Sequence, residues 1–298
     1  DTALERMKDR LGLKAIDAVF VTHMHGDHAL EAEHLRRKYG AKLWTLEGVA
    51  DTFERPYDYD LAALLPGYGP EHGPLKFDRI LKDGDLVQWE GYTLVCDWMP
   101  GQTPYHACLH GEIDGRRVAF TGDNLFASPT DPRQAGNEAV VPRNGGALEE
   151  GYLYAAHYLH GIAPDLILGG HCWAIENPAA LVGRLRVRME ALRDAFQSLS
   201  GDENYRYRFD PYWVRVHPYR TVLAPAGTAE ARLWVRNYGD SPQRHRVHFI
   251  TPPGLRVEPP TVTGEMSQAG MATFPITFHA APELAPGLHR VGLDITRD

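Results

Sequence analysis

The sequence predicts a layered α/β domain followed by an all-β domain. Up to about Leu199, segments with the hydrophobic period of strands alternate with segments that have the period of helices, which favours a layered α/β fold. After Asp202, short alternating strands are separated by Pro-, Gly- and Asn-rich turns without a helix signal, which is typical of an immunoglobulin-like β-sandwich. We therefore expect domains at residues 1–202 and 203–298.

The elements of the first domain follow from these periods and from turn residues. Helices are predicted at residues 2–11, 29–39, 148–160 and 179–199. Strands are predicted at residues 15–21, 42–45, 86–89, 92–97, 106–113, 116–121 and 165–168. The Asp114-Gly115 turn favours a hairpin. Residues 51–76 are interrupted by prolines and are expected to form a long loop without regular elements, a kind of loop that often acts as a lid.

The second domain is predicted to be built from strands alone. They are expected at residues 212–216, 231–238, 244–250, 272–278 and 288–295. Because this domain has no cluster of ionisable groups at ligand spacing, we expect it to serve interdomain or subunit packing, with sugar or cell-surface binding as the alternative.

Composition narrows the possible partners. The chain has 298 residues, of which 43% are hydrophobic, and a net charge of −8. An acidic chain is not expected to bind nucleic acid through a basic surface, and no segment has the apolar length of a membrane span. Because the first residue is Asp1 rather than Met, bacterial cytoplasm and a periplasmic or secreted location both stay open.

The segment at residues 22–28 is the most informative part of the chain. It reads Thr-His-Met-His-Gly-Asp-His and follows the apolar run 18–21. Neutral imidazole suits zinc, iron, nickel and copper, and a carboxylate beside it can ligate a second ion. Without a metal, these groups would be costly to hold so close together. The segment therefore predicts a metal site, the alternative being a solvated His-rich turn.

Three further motifs lie at predicted strand ends or loops. They read Pro-Gly-Gln-Thr-Pro-Tyr-His at 100–106, Phe-Thr-Gly-Asp at 120–123 and Gly-Gly-His at 169–171. Each motif alone is weak evidence. Their order, spacing and attachment to strands make the set strong evidence for one metal centre.

With these motifs, residues 1–200 resemble the metallo-β-lactamase superfamily. The resemblance implies an αββα fold with two metals at one edge, Zn²⁺ being expected and iron or manganese the alternatives. It implies that the first metal is held by His23 and His25, the second by Asp27, His28 and His171, and both by Asp123. The bridging aspartate is most similar to the glyoxalase II and lactonase branches, and antibiotic-hydrolysing members lack it.

Two departures from the family pattern stand out. Gln102 occupies the position of a histidine that is usually the third ligand of the first metal, and we expect His106 to replace it. The alternatives are that His106 lies near the metals without ligating, or that the first site is weakened and one metal binds. In addition, only about twenty residues precede Thr22, so several strands of the family fold are expected to be absent from this sequence.

The expected activity is that of a metal-dependent hydrolase of a small-molecule ester, thioester or lactone. A metal-bridged hydroxide would attack, and Asp27 would orient it and pass on a proton. Substrate contacts are expected from Gln102, Tyr105, Tyr57 and Tyr59. Glutathione thioesters are doubtful because a β-sandwich occupies the C-terminal end. An open sheet edge or the sandwich is a possible route to a homo-oligomer.

Three alternatives to this activity stay open. A phosphodiester or sulfate-ester hydrolase would need a basic pocket, for which Arg133 and Arg143 are candidates. A mono-iron sulfur dioxygenase would use the same fold with a different metal. A degenerate, non-catalytic binding protein is favoured only if Gln102 has abolished metal binding.

Overall fold

The computed structural model describes residues 2–59, 74–131, 133–136 and 148–298. The chain divides into two compact units. The first comprises Asp1–Pro56 and Leu61–Glu190, and the second comprises Tyr57–Asp60 and Ala191–Asp298. The predicted domain boundary at residues 202 and 203 stays a prediction. Within the described residues, no helix is both long and apolar enough to cross a membrane.

The N-terminal part of the first unit is a small parallel sheet with helices. Its three strands lie in the order β1, β2, β3 and comprise Ala18–Phe20, Lys42–Leu46 and Arg79–Leu81. The helices of this part are α1 (Thr2–Leu11), α2 (Gly26–Ala29), α3 (Ala32–Tyr39) and α4 (Glu47–Glu54), followed by a 3-10 turn at Pro56–Asp58. Leu43 of β2 is fully buried, which places this sheet against the core of the unit.

A six-stranded sheet forms the rest of the first unit. Its strands, in sequence and in spatial order, are β4 (Asp85–Trp89), β5 (Tyr92–Trp98), β6 (Ala107–Ile113), β7 (Arg116–Gly122), β8 (Leu166–Gly169) and β9 (Ile175–Glu176). Only the β7–β8 pair is parallel, and helix α5 (Tyr152–Ile162) lies between these two strands in the sequence. Trp44 of β2 meets Trp89 of β4 edge to face, with ring centroids 5.6 Å apart, so the two sheets are in contact. This mixed α/β arrangement confirms the predicted layered domain.

The hairpin predicted between β6 and β7 is confirmed. Asp114 and Gly115 both have positive φ, 51° and 73°, as a two-residue turn that matches the twist of the strands requires. The register pairs Ile113 with Arg116.

The described residues of the second unit form seven strands in two antiparallel sheets. Helix α6 (Ala179–Ser200) leads into it, followed by the short helix α7 (Arg206–Phe209). The strands are β10 (Val214–His217), β11 (Thr228–Arg236), β12 (Gln243–Ile250), β13 (Leu255–Glu258), β14 (Thr261–Met266), β15 (Met271–Ala280) and β16 (Gly292–Arg297). One sheet has the order β10, β11, β15, β13 and the other β14, β12, β16, and apolar side chains from both form one buried cluster. That this unit is immunoglobulin-like stays a prediction.

Some predicted elements were wrong. Residues 51–54, expected to be irregular, complete helix α4, because Val49, Ala50 and Phe53 form a buried apolar face before the first proline. Helix α7 interrupts a region expected to lack helices. Pro66, Pro70 and Tyr68 of the predicted loop lie outside the described residues.

Candidate metal centre

The ends of several strands bring the predicted ligands together. His23 and His25 follow β1, Asp123 follows β7 and His171 follows β8. Because β7 and β8 are parallel neighbours, residues that follow them emerge at the same edge of the sheet. Helix α2 begins directly after His25, so a single helical turn carries the next two candidate ligands back toward the same place.

The first group of ligand-capable residues is His23, His25 and Asp123, whose donor atoms all lie within 4.8 Å of one another. His23 is fully buried, and its Nε2 has no hydrogen-bond partner within the described part of the chain. Its Nδ1 lies 3.0 Å from Thr22 Oγ1, so a proton on Nδ1 leaves the lone pair of Nε2 available. A buried, unsatisfied lone pair of this kind fits a metal ligand.

The second group is Asp27, His28, Asp123 and His171, again within 4.8 Å. Asp123 Oδ1 lies 3.1 Å from His28 Nε2 and 3.3 Å from His171 Nε2. Asp27 Oδ2 lies 3.4 Å from each of the same two nitrogens. Two imidazoles and two carboxylates converging on one point form a donor set that zinc accepts, and Asp123 belongs to both groups.

The electrostatics of the centre follow from burial and from these contacts. Burial and the neighbouring imidazoles lower the pKa of His23 well below its usual value. Burial also acts to lower the pKa of His28, but the hydrogen bond and charge of Asp123 outweigh it and raise that pKa. For Asp123, burial raises the pKa, and the contacts with His28 and His171 outweigh it and lower it. The centre therefore favours neutral His23 and ionised Asp123, the forms that bind cations.

His106 lies beside the first group and outside both groups of described ligands. Its ring stacks on that of His23 with centroids 4.7 Å apart. Its Nδ1 lies 3.3 Å from Asn124 Nδ2, and its Nε2 lies 3.3 Å from the backbone nitrogen of Asp123. Burial lowers its pKa to about 3, so the ring is neutral. The structure thus gives both ring nitrogens other neighbours, and its predicted role as replacement ligand stays a prediction.

Gln102 reaches the centre through Asp123. Its Nε2 donates to Asp123 Oδ2 over 3.1 Å, and its backbone N–H donates to Asn124 Oδ1 over 2.9 Å. Its Oε1 is buried and has no hydrogen-bond partner among the residues described. Asp123 therefore orients the side chain of Gln102, which occupies the position where a histidine was expected.

The other residues predicted to bind substrate belong to both units. Tyr105 is half-buried in the loop between β5 and β6. Tyr57 and Tyr59 belong to the second unit, where Tyr57 accepts a backbone hydrogen bond from Arg220 and the ring of Tyr59 contacts that of His217. That these two tyrosines contact the substrate stays a prediction.

Of the two arginines considered for an anion pocket, only Arg133 lies within the described residues. Arg133 forms an ion pair with Asp131 at 2.9 Å, so its charge is balanced locally. Arg143 lies outside the described residues.

One residue beside the centre, Asn124, was given no role in the sequence analysis. Asn124 is fully buried and ties the loop of Gln102 to His106, and its place directly after the bridging aspartate was an available signal. Gly170, which belongs to the predicted Gly-Gly-His motif, could not be any other residue without strain, since a Cβ would meet Asp123 and His28.

The comparison with protein families decides what this geometry belongs to. The sequence profile of the metallo-beta-lactamase superfamily matches residues 1–171, more than half of the chain. The chain belongs to the metallo-beta-lactamase superfamily. Both groups of ligand-capable residues lie within the matched part of the chain.

Individual relatives are more distant. A hydroxyacylglutathione hydrolase from Aeromonas salmonicida is 29% identical over 186 residues, which cover 57% of this chain and 60% of the relative. An atrochrysone carboxyl ACP thioesterase from Paecilomyces divaricatus is 31% identical over 112 residues, 38% of this chain and 28% of the relative. The chain thus spans less than two thirds of the length of either protein.

Among solved structures, a metallo-beta-lactamase from Cronobacter sakazakii, mutated in its HARLDQ motif, matches with a TM-score of 0.50 and 19% identity. The match covers 66% of this chain and 83% of that protein. At this identity the likeness concerns the fold alone, and it agrees with the mixed α/β architecture of the first unit.

Proposed function

We propose that this superfamily member is a metal-dependent hydrolase that cleaves a small-molecule ester, thioester or lactone, with zinc as the expected ion. The observation that carries the proposal is the convergence of two ligand groups on Asp123. Among them is the buried Nε2 of His23, which has no hydrogen-bond partner in the described part of the chain. Buried donors that are left unsatisfied by the protein need another partner, and a cation meets that need.

The residues that would hold metal are the members of the two groups. They are His23, His25, Asp27, His28, Asp123 and His171. A bound divalent ion supplies Lewis-acid polarisation of a carbonyl oxygen and lowers the pKa of water toward neutrality. The donor set of nitrogen and carboxylate oxygen atoms suits zinc, and it admits iron or manganese as well.

Asp27 is the residue proposed to handle the proton. Its side chain is 35% exposed, whereas that of Asp123 is 5% exposed. A carboxylate that reaches solvent and lies within 3.4 Å of His28 and His171 can orient an attacking water and later return its proton to the leaving group. Asp123, held by both groups, is placed to bind rather than to exchange protons.

A thioester is the first substrate to examine. Relatives of this chain are named hydroxyacylglutathione hydrolase and acyl-carrier thioesterase, which supports an activated acyl group over a phosphodiester. The ion pair between Arg133 and Asp131 removes one source of positive charge that a phosphate or sulfate ester would need. Gln102 and Tyr105 remain proposed contacts for the substrate.

The test is elemental analysis of the purified protein, followed by a panel of thioesters, esters, lactones and phosphodiesters. We expect bound zinc and turnover of a thioester or ester, with Asp27→Asn reducing kcat at least about 100-fold. Asp51→Asn, an exposed carboxylate on α4, is the matched control and should leave turnover unchanged. Bound iron with oxygen uptake, or no metal and no turnover on the whole panel, would overturn the proposal.

A further inference from the structure

We propose that Gln102 makes the two halves of the metal centre unequal. The group around His171 would bind one ion tightly, and the group around His25 would bind a second ion only weakly. This inference rests on the proposed function, because it assumes that the centre holds metal. It concerns the order in which two ions bind and the affinity of each, which the identity of the six ligand residues does not determine.

The two oxygens of Asp123 face different groups. Oδ1 lies 3.1 Å from His28 Nε2 and 3.3 Å from His171 Nε2. The nearest nitrogen of the first group to Oδ2 among the described ion pairs is His23 Nε2, at 3.9 Å. The carboxylate is therefore turned so that one oxygen serves each group.

Gln102 acts on one of these oxygens only. Its Nε2 donates a hydrogen bond to Asp123 Oδ2 over 3.1 Å. This bond uses one lone-pair direction of Oδ2 and withdraws electron density from it, which weakens Oδ2 as a ligand for a cation. Oδ1, on the side of His171, does not carry this bond.

The loop geometry holds Gln102 in this position. Its backbone N–H is fixed by Asn124 Oδ1 at 2.9 Å, and Asn124 itself is fully buried. Gly101 packs so closely on the side chain of Asn124 that a Cβ there would collide with it. The hydrogen bond to Asp123 is therefore supported by a close-packed loop, and a free swing of the side chain would have to break that packing.

The remaining donors of the first group do not compensate. Gln102 Oε1 is buried and unpartnered in the described structure, but a neutral amide oxygen is a poor zinc ligand beside imidazole or carboxylate. His106 would have to leave its neighbours Asn124 and Asp123 to ligate. The first group thus offers two imidazoles and a weakened oxygen, while the second offers two imidazoles and two carboxylates.

The test is titration of the metal-free protein with Zn²⁺, in which calorimetry measures the affinity of each ion. Native mass spectrometry after dialysis then counts the ions that stay bound. We expect the unmodified chain to retain one ion, with the second ion bound at least about 100-fold more weakly. Gln102→His should strengthen the second site by about 10- to 100-fold and retain two ions. Gln102→Glu, which keeps the shape and replaces the donor amide by a carboxylate, should act in the same direction if the histidine variant folds poorly.

Matched variants separate this inference from simpler explanations. Gln88→His places a histidine on an exposed position of β4 and should leave both affinities unchanged. His171→Ala should lose the tight ion, and His25→Ala should keep it.

Two equally tight ions in the unmodified chain would overturn the inference and leave the proposed function standing. Loss of the tight ion in His25→Ala, or no gain in either Gln102 variant, would overturn it as well. If the unmodified chain binds no ion at all, the proposed function itself fails.

Discussion

Two buried histidines, His23 in the first unit and His245 in the second, have ring nitrogens that no described residue satisfies. Around His23, three further imidazoles and two carboxylates converge within the ligand groups that share Asp123. Around His245 lie the rings of Tyr207 and Trp213, with centroids 6.5 and 6.0 Å away, and no described ligand group includes it. An unpartnered buried nitrogen therefore indicates a metal site only where several donors converge.

The pKa shifts alone would not have made this distinction. Burial lowers the pKa of both His23 and His245, since a charged imidazole is unfavourable away from water. What differs between the two histidines is the charged group nearby. His23 lies 3.9 Å from a carboxylate oxygen of Asp123, whereas His245 is affected by the like charge of Arg297.

The largest effect is expected from the residue that the two ligand groups share. Asp123→Ala removes an oxygen from each group, so we expect loss of bound metal and a fall in turnover of at least about 100-fold. Metal content and kcat of the same sample provide the measurement. Asp131→Ala, which removes a half-buried carboxylate on the loop that follows, is the control and should retain both. Full metal content in Asp123→Ala would mean that the side chains converging on Asp123 do not form the metal site.

The next effect concerns His106, which motif analysis predicted as a ligand. Because its ring is fully buried and stacked on His23, His106→Ala should destabilise the first unit by about 2–3 kcal/mol through the cavity left behind. We expect the tight ion to stay bound. Denaturant unfolding and metal analysis of the variant measure the two effects. Loss of metal in His106→Ala but not in Gln102→Ala would instead support ligation by His106.

A smaller effect is expected at the isolated histidine. The folded pKa of His245 is lowered, so the unfolded chain takes up this proton first as the pH falls through about 6.5. The stability that His245 contributes is therefore complete above that pH and decreases below it. His245→Leu should reduce the fall in unfolding temperature between pH 7 and pH 5 by a few degrees, with metal content unchanged. If the unfolding temperature of His245→Leu depends on pH as that of the unmodified chain does, or if the variant loses metal, the contrast drawn between His23 and His245 is wrong.

The smallest expected effect concerns the reactivity of the three cysteines, of which two are buried and one is exposed. Burial raises the pKa of Cys96 to about 12, and it raises that of Cys108 as well, whereas Cys172 is exposed beside His171. Since the thiolate is the reactive form, a thiol reagent at pH 8 should modify one cysteine in the folded protein and all three after denaturation. Rapid modification of more than one thiol in the folded state would show that the buried pair is accessible.

Much of the first unit was predictable because its signals are local. The alternation of polar and apolar residues identified β5 and β7, and the Asp114-Gly115 turn fixed the hairpin before β7. The ligand motifs could be read because metal chemistry restricts the residue types at each position. The structure then brought His23, Asp123 and His171 together, as their places at strand ends indicated.

The parts that could not be predicted depend on distant contacts. Helix α4 was missed because its apolar face was judged together with the prolines that follow it. The hydrogen bond from Gln102 to Asp123 joins residues 21 positions apart, so no local pattern shows it. The neighbours of His106 were hidden for the same reason, since Asn124 lies 18 positions further along the chain.

Whether hydrolysis depends on metal bound at this centre is tested most directly by following thioester hydrolysis while Zn²⁺ is added back to the metal-free protein. We predict no turnover without metal, and a rise that follows occupancy of the group formed by Asp27, His28, Asp123 and His171. Turnover that does not depend on added metal would contradict the account. So would a protein that binds the ion fully and hydrolyses no thioester, ester or lactone.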